Sequence, residues 1–150
     1  MKLAIDLGLK EALKPELNHL NKELENLAKK SDGFLGDLLS YVLIGSGKRV
    51  RPALVHLGSG LGNSDLSHVR TVAMGVELIH IATLIPDDVI DKAALRRGLK
   101  TVLNQHGVDT AVLLGDHIYT FAYQKVAELG NPQILKLMAH STSIMCAGEI

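Results

Sequence analysis

The stretch Leu78-Ile-His-Ile-Ala-Thr-Leu-Ile-Pro-Asp-Asp-Val-Ile-Asp91 constrains this chain most, because an apolar run ends in three carboxylates and passes straight into Lys92-Ala-Ala-Leu-Arg-Arg-Gly98. On a helix turning about 100° per residue, Asp87 and Asp91 share a face and Asp88 lies one step round from it. Carboxylates that close repel one another, so a cation is expected among them. Oxygen donors without accompanying cysteines suit a hard ion such as Mg²⁺, which is held by one or two carboxylates, several waters and a substrate phosphate. Arg96 and Arg97 suit the same phosphate. The plainer alternative is that Pro86 opens a new helix whose first turn carries acids to complement its dipole.

A second constellation precedes it, Gly45-Ser-Gly-Lys-Arg-Val-Arg-Pro52. Its glycines permit close approach of backbone to an anion, Lys48 and Arg51 offer a point charge and a forked donor, and Pro52 suits the start of the next helix. An anion cradle at a helix start fits this pattern, and the absence of Gly-x-x-x-x-Gly-Lys-Ser/Thr excludes a nucleotide P-loop. A solvated basic loop is the alternative. His80 lies two helical turns before Asp87 and so on a similar face, although a lone histidine at the edge of an apolar run is more often a core residue.

Five motifs now stand in order: Gly47-Lys48-Arg49-x-Arg51-Pro52, Glu77-x-x-His80, Asp87-Asp88-x-x-Asp91, Arg96-Arg97-Gly98 and Ala111-Val-Leu-Leu-Gly-Asp116. Together they resemble the trans-polyprenyl diphosphate synthases, from about Leu35 to Ile150. The resemblance implies an all-α fold, an antiparallel helix bundle corresponding to the N-terminal half of the isoprenoid synthase fold. It also implies an activity, the joining of an allylic diphosphate to isopentenyl diphosphate with release of diphosphate. On it, Asp87, Asp88 and Asp91 are the Mg²⁺ ligands, with Asp87 and Asp91 the main ones, and Arg96 contacts the allylic diphosphate. Lys48, Arg51, His80 and Arg97 would hold the diphosphate of isopentenyl diphosphate, with a backbone contact at Gly47. Thr83 and Ala82, four and five residues before the first aspartate, would look down a tail channel whose deeper wall is Ile79, Val76 and Val72. The absence of aromatics there implies a product longer than farnesyl, although apolar helix faces are more often core.

The family is about twice as long as these 150 residues, and its second aspartate-rich motif is not among them. The resemblance therefore implies a subunit of a heteromeric synthase, inactive alone, completed by a second polypeptide that carries the other acidic motif. A non-catalytic regulatory or stabilising subunit, or a fragment of a longer enzyme, is the alternative. Pro86 also departs from the family, and it is expected to remove the bond to the Ala82 carbonyl and kink the helix before the metal motif.

Composition narrows the rest. With 47% hydrophobic residues the chain has material for a core, and residues 1–150 are expected to form one all-helical domain. Sixteen basic and sixteen acidic residues balance, and aromatics are 3%, so neither a global field nor stacking surfaces favour nucleic acid. The single Cys146 is expected to be a small core residue in a reducing compartment. No signal peptide is read at the N-terminus and no run is expected to reach the apolar length of a membrane span, which gives a cytoplasmic expectation with peripheral membrane contact if the product is a lipid. Helical spacing predicts helices over Leu9 to Leu13, Pro15 to Lys30, Phe34 to Ile44, Arg51 to Leu61, from Ser64 or Asp65 towards Asp91, Val108 to Leu129 and Pro132 to Ala147.

Overall fold

The computed structural model describes residues 2–44 and 47–149. Gly45 and Ser46 of the basic motif and Ile150 lie outside the described residues, as does the side chain of Leu9. Six helices follow one another: α1 (Lys2–Lys30), α2 (Gly33–Leu43), α3 (Val50–Ser59), α4 (Leu66–Ile90), α5 (Val102–Ala127) and α6 (Pro132–Glu149). A two-stranded hairpin, β1 (Leu95–Arg96) and β2 (Leu99–Lys100), separates α4 from α5. The all-α expectation holds.

The two predicted N-terminal segments are one helix. Pro15 lies inside α1 and is exposed, so water can meet the carbonyl that its missing amide leaves. Leu20, Leu24 and Ala28, one turn apart, bury the face that α1 turns to α2 and α4. Glu16 then ties α1 to α4, accepting from Nε and Nη2 of Arg70 at 2.7 and 3.1 Å.

Helix α4 is the spine. The Asp65 side chain caps it by accepting from the amides of Ser67 and His68, and it runs unbroken through Pro86 to a C-cap at Asp91. Pro86 therefore does not open a helix, and the three acids stand at the negative, carbonyl-bearing end of α4 rather than at a positive N-terminus. The membrane expectation also needs correcting. By length and composition alone α4 reaches the apolar character of a membrane span, because only Arg70 and Glu77 interrupt its central turns; 44% of that apolar window is buried inside the bundle.

Small residues let α4 and α5 approach closely as an antiparallel pair. A methyl group added at Gly75 would stand 2.6 Å from Cγ2 of Val126 and 3.4 Å from Cε of Met138. At the other end, one added at Gly115 would stand 3.3 Å from the Ala82 carbonyl oxygen and 3.4 Å from Cδ of Pro86. Glycine thus makes room for the proline ring and for the carbonyl that has lost its helical partner. Between these points Leu78, Ala82, Ile85, Ala111, Leu114, Ile118, Ala122 and Val126 are buried, each large apolar side chain contributing about 1.5–3 kcal/mol.

Helix α5 breaks at Gly107 (φ 83°, ψ 175°), so its main part starts at Val108 as predicted. The preceding turn, capped by the Thr101 hydroxyl accepting from the Asn104 amide, was not foreseen. Helix α6 buries Met138 and Thr142, and Thr142 meets the Tyr123 hydroxyl at 3.1 Å. Cys146 is exposed, contrary to the core expectation: it lies one turn beyond Thr142, and no further element of the described chain covers it.

The close approach at Gly75 predicts that Gly75→Ala will destabilise the chain by about 1–3 kcal/mol through overpacking, against which alanine's better helix propensity returns about 1 kcal/mol. Adding Val126→Ala should relieve the clash. Urea denaturation of the two single variants and the double variant should then give a double-variant loss smaller than the sum of the single losses.

Candidate active site

Glu77 is a carboxylate 4% exposed in an apolar helix, and it needs a partner there. Arg49, itself buried, supplies one: its Nη1 donates to Oε1 of Glu77 at 2.7 Å. Its other donors reach Oδ1 of Asn21 at 3.1 Å and the Leu43 carbonyl at 3.0 Å, so α1, α2 and α4 meet at one guanidinium. The backbone of Arg49 is left-handed (φ 48°), which turns the chain into α3 at Val50. Lys48 and Arg51, on either side of this buried residue, are exposed.

Beyond the acidic end of α4 the chain forms its hairpin. Arg97 and Gly98 both have positive φ (53° and 82°), as a type I′ turn of two residues requires. The Ala93 amide donates to the Asp88 carbonyl at 2.9 Å, the Thr101 hydroxyl donates to the Ala93 carbonyl at 2.7 Å, and the Tyr41 hydroxyl of α2 donates to the Lys100 carbonyl at 2.6 Å. The hairpin is thereby fastened at both ends. Arg96 folds back onto α4, its Nε donating to Oδ1 of the buried Asp88 at 2.8 Å.

These elements enclose a cavity of about 640 Å³ whose lining includes Gly47, Lys48, Arg51, His80, Arg96 and Arg97. All six residues expected to contact diphosphates therefore share one wall system, which Arg49, Glu77 and Asp88 also line. Another cavity, about 720 Å³, opens between α1, α4 and α5 around Glu16, His56, Arg70 and Phe121, and none of the expected site residues lines it.

The remaining expected residues lie elsewhere. Asp87 is half-buried and Asp91 exposed at the end of α4, and neither lines the 640 Å³ cavity. Ala82 and Ile79 are core residues, while Thr83 is half-buried with its hydroxyl donating to the His80 carbonyl at 2.9 Å. The Ala82 carbonyl lies against Gly115 of α5. Val72, Val76 and Thr83 continue as a half-buried stripe towards Asp87 at helical spacing. Arg49, which sequence reasoning left without a role, and the pairing of Asp88 with Arg96, two residues expected to serve a metal and a diphosphate separately, turn out to shape the site. A carboxylate in the middle of an apolar helix, as at Glu77, was the readable signal for the first.

Electrostatics sort the site into two ends. His80 is held below its ordinary pKa of 6.5, first by burial and then by Arg51, with Arg97 and Arg96 adding to the effect and Glu77 opposing it. Its imidazole is accordingly neutral at pH 7. The acidic end has the opposite need. Among the described residues no ion pair involves Asp87 or Asp91, while Asp88 is taken by Arg96. No three His, Cys, Asp or Glu side chains among the described residues converge as a ready ligand cluster. Two carboxylates one turn apart at a helix C-terminus still form an oxygen-only, negatively biased donor set, which fits Mg²⁺ completed by water and phosphate oxygens.

Comparison with known proteins bears on this geometry. The family profile described as polyprenyl synthetase matches residues 33–150. Heptaprenyl diphosphate synthase component 2 of Geobacillus stearothermophilus is 38% identical over 92% of this chain and 43% of its own length. The octaprenyl diphosphate synthase of Haemophilus influenzae is 36% identical over 91% of the chain and 41% of its own length. Among solved structures, heptaprenyl diphosphate synthase from Staphylococcus aureus superposes with a TM-score of 0.84 at 33% identity, covering 91% of this chain and 44% of that one. A polyprenyl synthase from Caulobacter crescentus, complexed with calcium and isoprenyl diphosphate, gives 0.85 at 28% identity over 94% of this chain and 43% of its own. The chain spans less than half the length of these relatives.

The lowered His80 pKa yields a signed prediction. An arriving diphosphate stabilises the imidazolium and raises this pKa, so binding should take up a proton at pH values between the lowered pKa of the empty site and the raised one of the complex. Affinity should therefore strengthen as pH falls through the pKa of the complex. Calorimetric titration of pyrophosphate in two buffers of different ionisation enthalpy will measure the net proton exchange, to which the ligand's own ionisation contributes, and His80→Asn should make that exchange less positive by removing the imidazole's uptake.

Proposed function

This chain belongs to the polyprenyl synthetase family, and from that premise we propose that it furnishes one half of a trans-prenyltransferase site, with a second polypeptide furnishing the other. The observation that carries the proposal is the single cavity walled by Gly47, Lys48, Arg51, His80, Arg96 and Arg97 beside the acidic end of α4. Four side chains, Lys48, Arg51, His80 and Arg97, bind the diphosphate of isopentenyl diphosphate without metal. Asp87 and Asp91 would hold Mg²⁺ for the allylic diphosphate, and Arg96 would leave Asp88 to contact that same group.

The chemistry needs this division. As the allylic C–O bond breaks, its electron pair leaves with diphosphate, the isopentenyl double bond supplies the pair for the new C–C bond, and a proton is lost from the isopentenyl unit. Mg²⁺, when bound, supplies positive charge to the departing diphosphate. The arginines add hydrogen bonds that strengthen as that charge develops. Lys48, Arg51, His80 and Arg97 contribute proximity by anchoring the second substrate through a group that does not react.

Support for a partner comes from surface chemistry. Along α3, Val50, Leu54 and Leu57 form a stripe at helical spacing, 54%, 61% and 41% exposed, and Leu61 in the turn that follows is 94% exposed. An apolar stripe of that length left open to water marks an interface. The names of the Geobacillus stearothermophilus relative and of its Bacillus subtilis counterpart, each a component 2, favour the same reading. The half-buried stripe Val72, Val76 and Thr83 is proposed as one wall of the product channel, closed by the partner and free of aromatics.

Radiolabelled isopentenyl diphosphate supplied with an allylic primer and Mg²⁺ tests the proposal. This chain alone should turn over poorly, and mixing with a partner that carries the second aspartate-rich motif should restore synthesis. Asp87→Ala or Asp91→Ala should lower the rate of the mixture about 10²–10³-fold, as loss of one electrostatic element typically does. Undiminished synthesis by both variants would instead assign a stabilising role. Within the active mixture, Thr83→Phe is expected to shorten the product, read by chromatography.

A further inference from the structure

The Arg49–Glu77 pair forms a buried part of the cavity wall, and its arrangement exceeds what holding helices together requires. A buried ion pair adds little net stability, since desolvation offsets attraction and apolar residues of similar volume often do as well or better. Its backbone is moreover held in the left-handed region at a side chain with a Cβ. Both features persist where the surroundings over-determine them.

The surroundings do so here. Three donors of Arg49 reach three elements: Nε to Asn21 of α1, Nη2 to the last carbonyl of α2 at Leu43, and Nη1 to Glu77 of α4. Glu77 is one helical turn before His80, so the helix that presents His80 is pinned to the same guanidinium that fixes the basic segment. With residue 49 turned inward, the neighbours Lys48 and Arg51 are exposed and line the cavity. Only a forked, planar cation can satisfy acceptors on separate elements at once.

We propose that Arg49 and Glu77, paired with each other at the cavity wall, are positioning residues for diphosphate recognition, acting through Lys48, Arg51 and His80. The inference rests on the reading that this cavity takes a diphosphate. Replacing the pair leaves Lys48, Arg51, His80, Arg96 and Arg97 unchanged but releases the segment that aims them.

Inorganic pyrophosphate titrated calorimetrically into the chain, with thermal melts of each variant, tests this. The apolar pair Arg49→Met/Glu77→Leu is expected to melt at or above the parent temperature while binding pyrophosphate at least tenfold more weakly. Lys48→Met should weaken binding in the parent but change it little in the apolar-pair background, a non-additivity that a purely structural role would not produce. Parental affinity in the folded apolar-pair variant would overturn the proposal. If that variant does not fold, Arg49→Lys decides: it keeps a charge opposite Glu77 but loses the fork, and a tenfold loss with an unmoved melting temperature supports positioning whereas unchanged affinity refutes it. Failure of the parent chain itself to bind pyrophosphate would instead remove the diphosphate reading on which the inference stands.

Discussion

Everything in the site is referred to the spacing between α4 and α5. Glycines at both ends of this contact, Gly75 and Gly115, bring the two backbones together, and the apolar residues between them lock the pair. Helix α4 is then a fixed ruler on which Glu77, His80, Asp88, Asp87 and Asp91 are marked at helical intervals. A looser pair would still be helical. It would not hold His80 and the hairpin in one frame.

On that ruler charges are segregated by sign. The cavity gathers Lys48, Arg51, Arg96 and Arg97 around a neutral imidazole, while the end of α4 gathers two carboxylates with no ion-pair partner among the described residues. Asp88 and Arg96 form the boundary, one residue from each set neutralising the other. In the proposed reading this separation lets two diphosphates be told apart, one by basic side chains and one through a divalent ion.

Much of this was legible because it is written in local spacing. Asp65 at a helix start, the leucine ladder of α1 and the Gly47 to Pro52 and Asp87 to Arg97 motifs are short-range signals, and the structure brings all six expected diphosphate contacts to one cavity. What escaped depends on contacts far apart in sequence. Pro86 reads locally as a helix breaker, yet Gly115 of another helix accommodates it. The burial of Ala82, whose carbonyl lies against Gly115 of α5, likewise depends on a helix far along the chain. The role of Arg49 depends on Asn21 and Glu77, each 28 residues away, and Cys146 is exposed because no element among the described residues covers its turn. The hairpin was missed for another reason: two-residue strands carry too little alternation to register, although Arg97-Gly98 is a serviceable turn pair.

Pro86 also has an effect before the native state forms. In the unfolded chain its ring disfavours helical angles at Ile85, so the apolar run and the acids beyond it do not belong to one autonomously propagating helix. The last turn becomes continuous with the rest only when tertiary docking against Gly115 compensates for the absent rung. The anionic tip thus depends on the packing of α4 against α5 rather than on helix propagation alone.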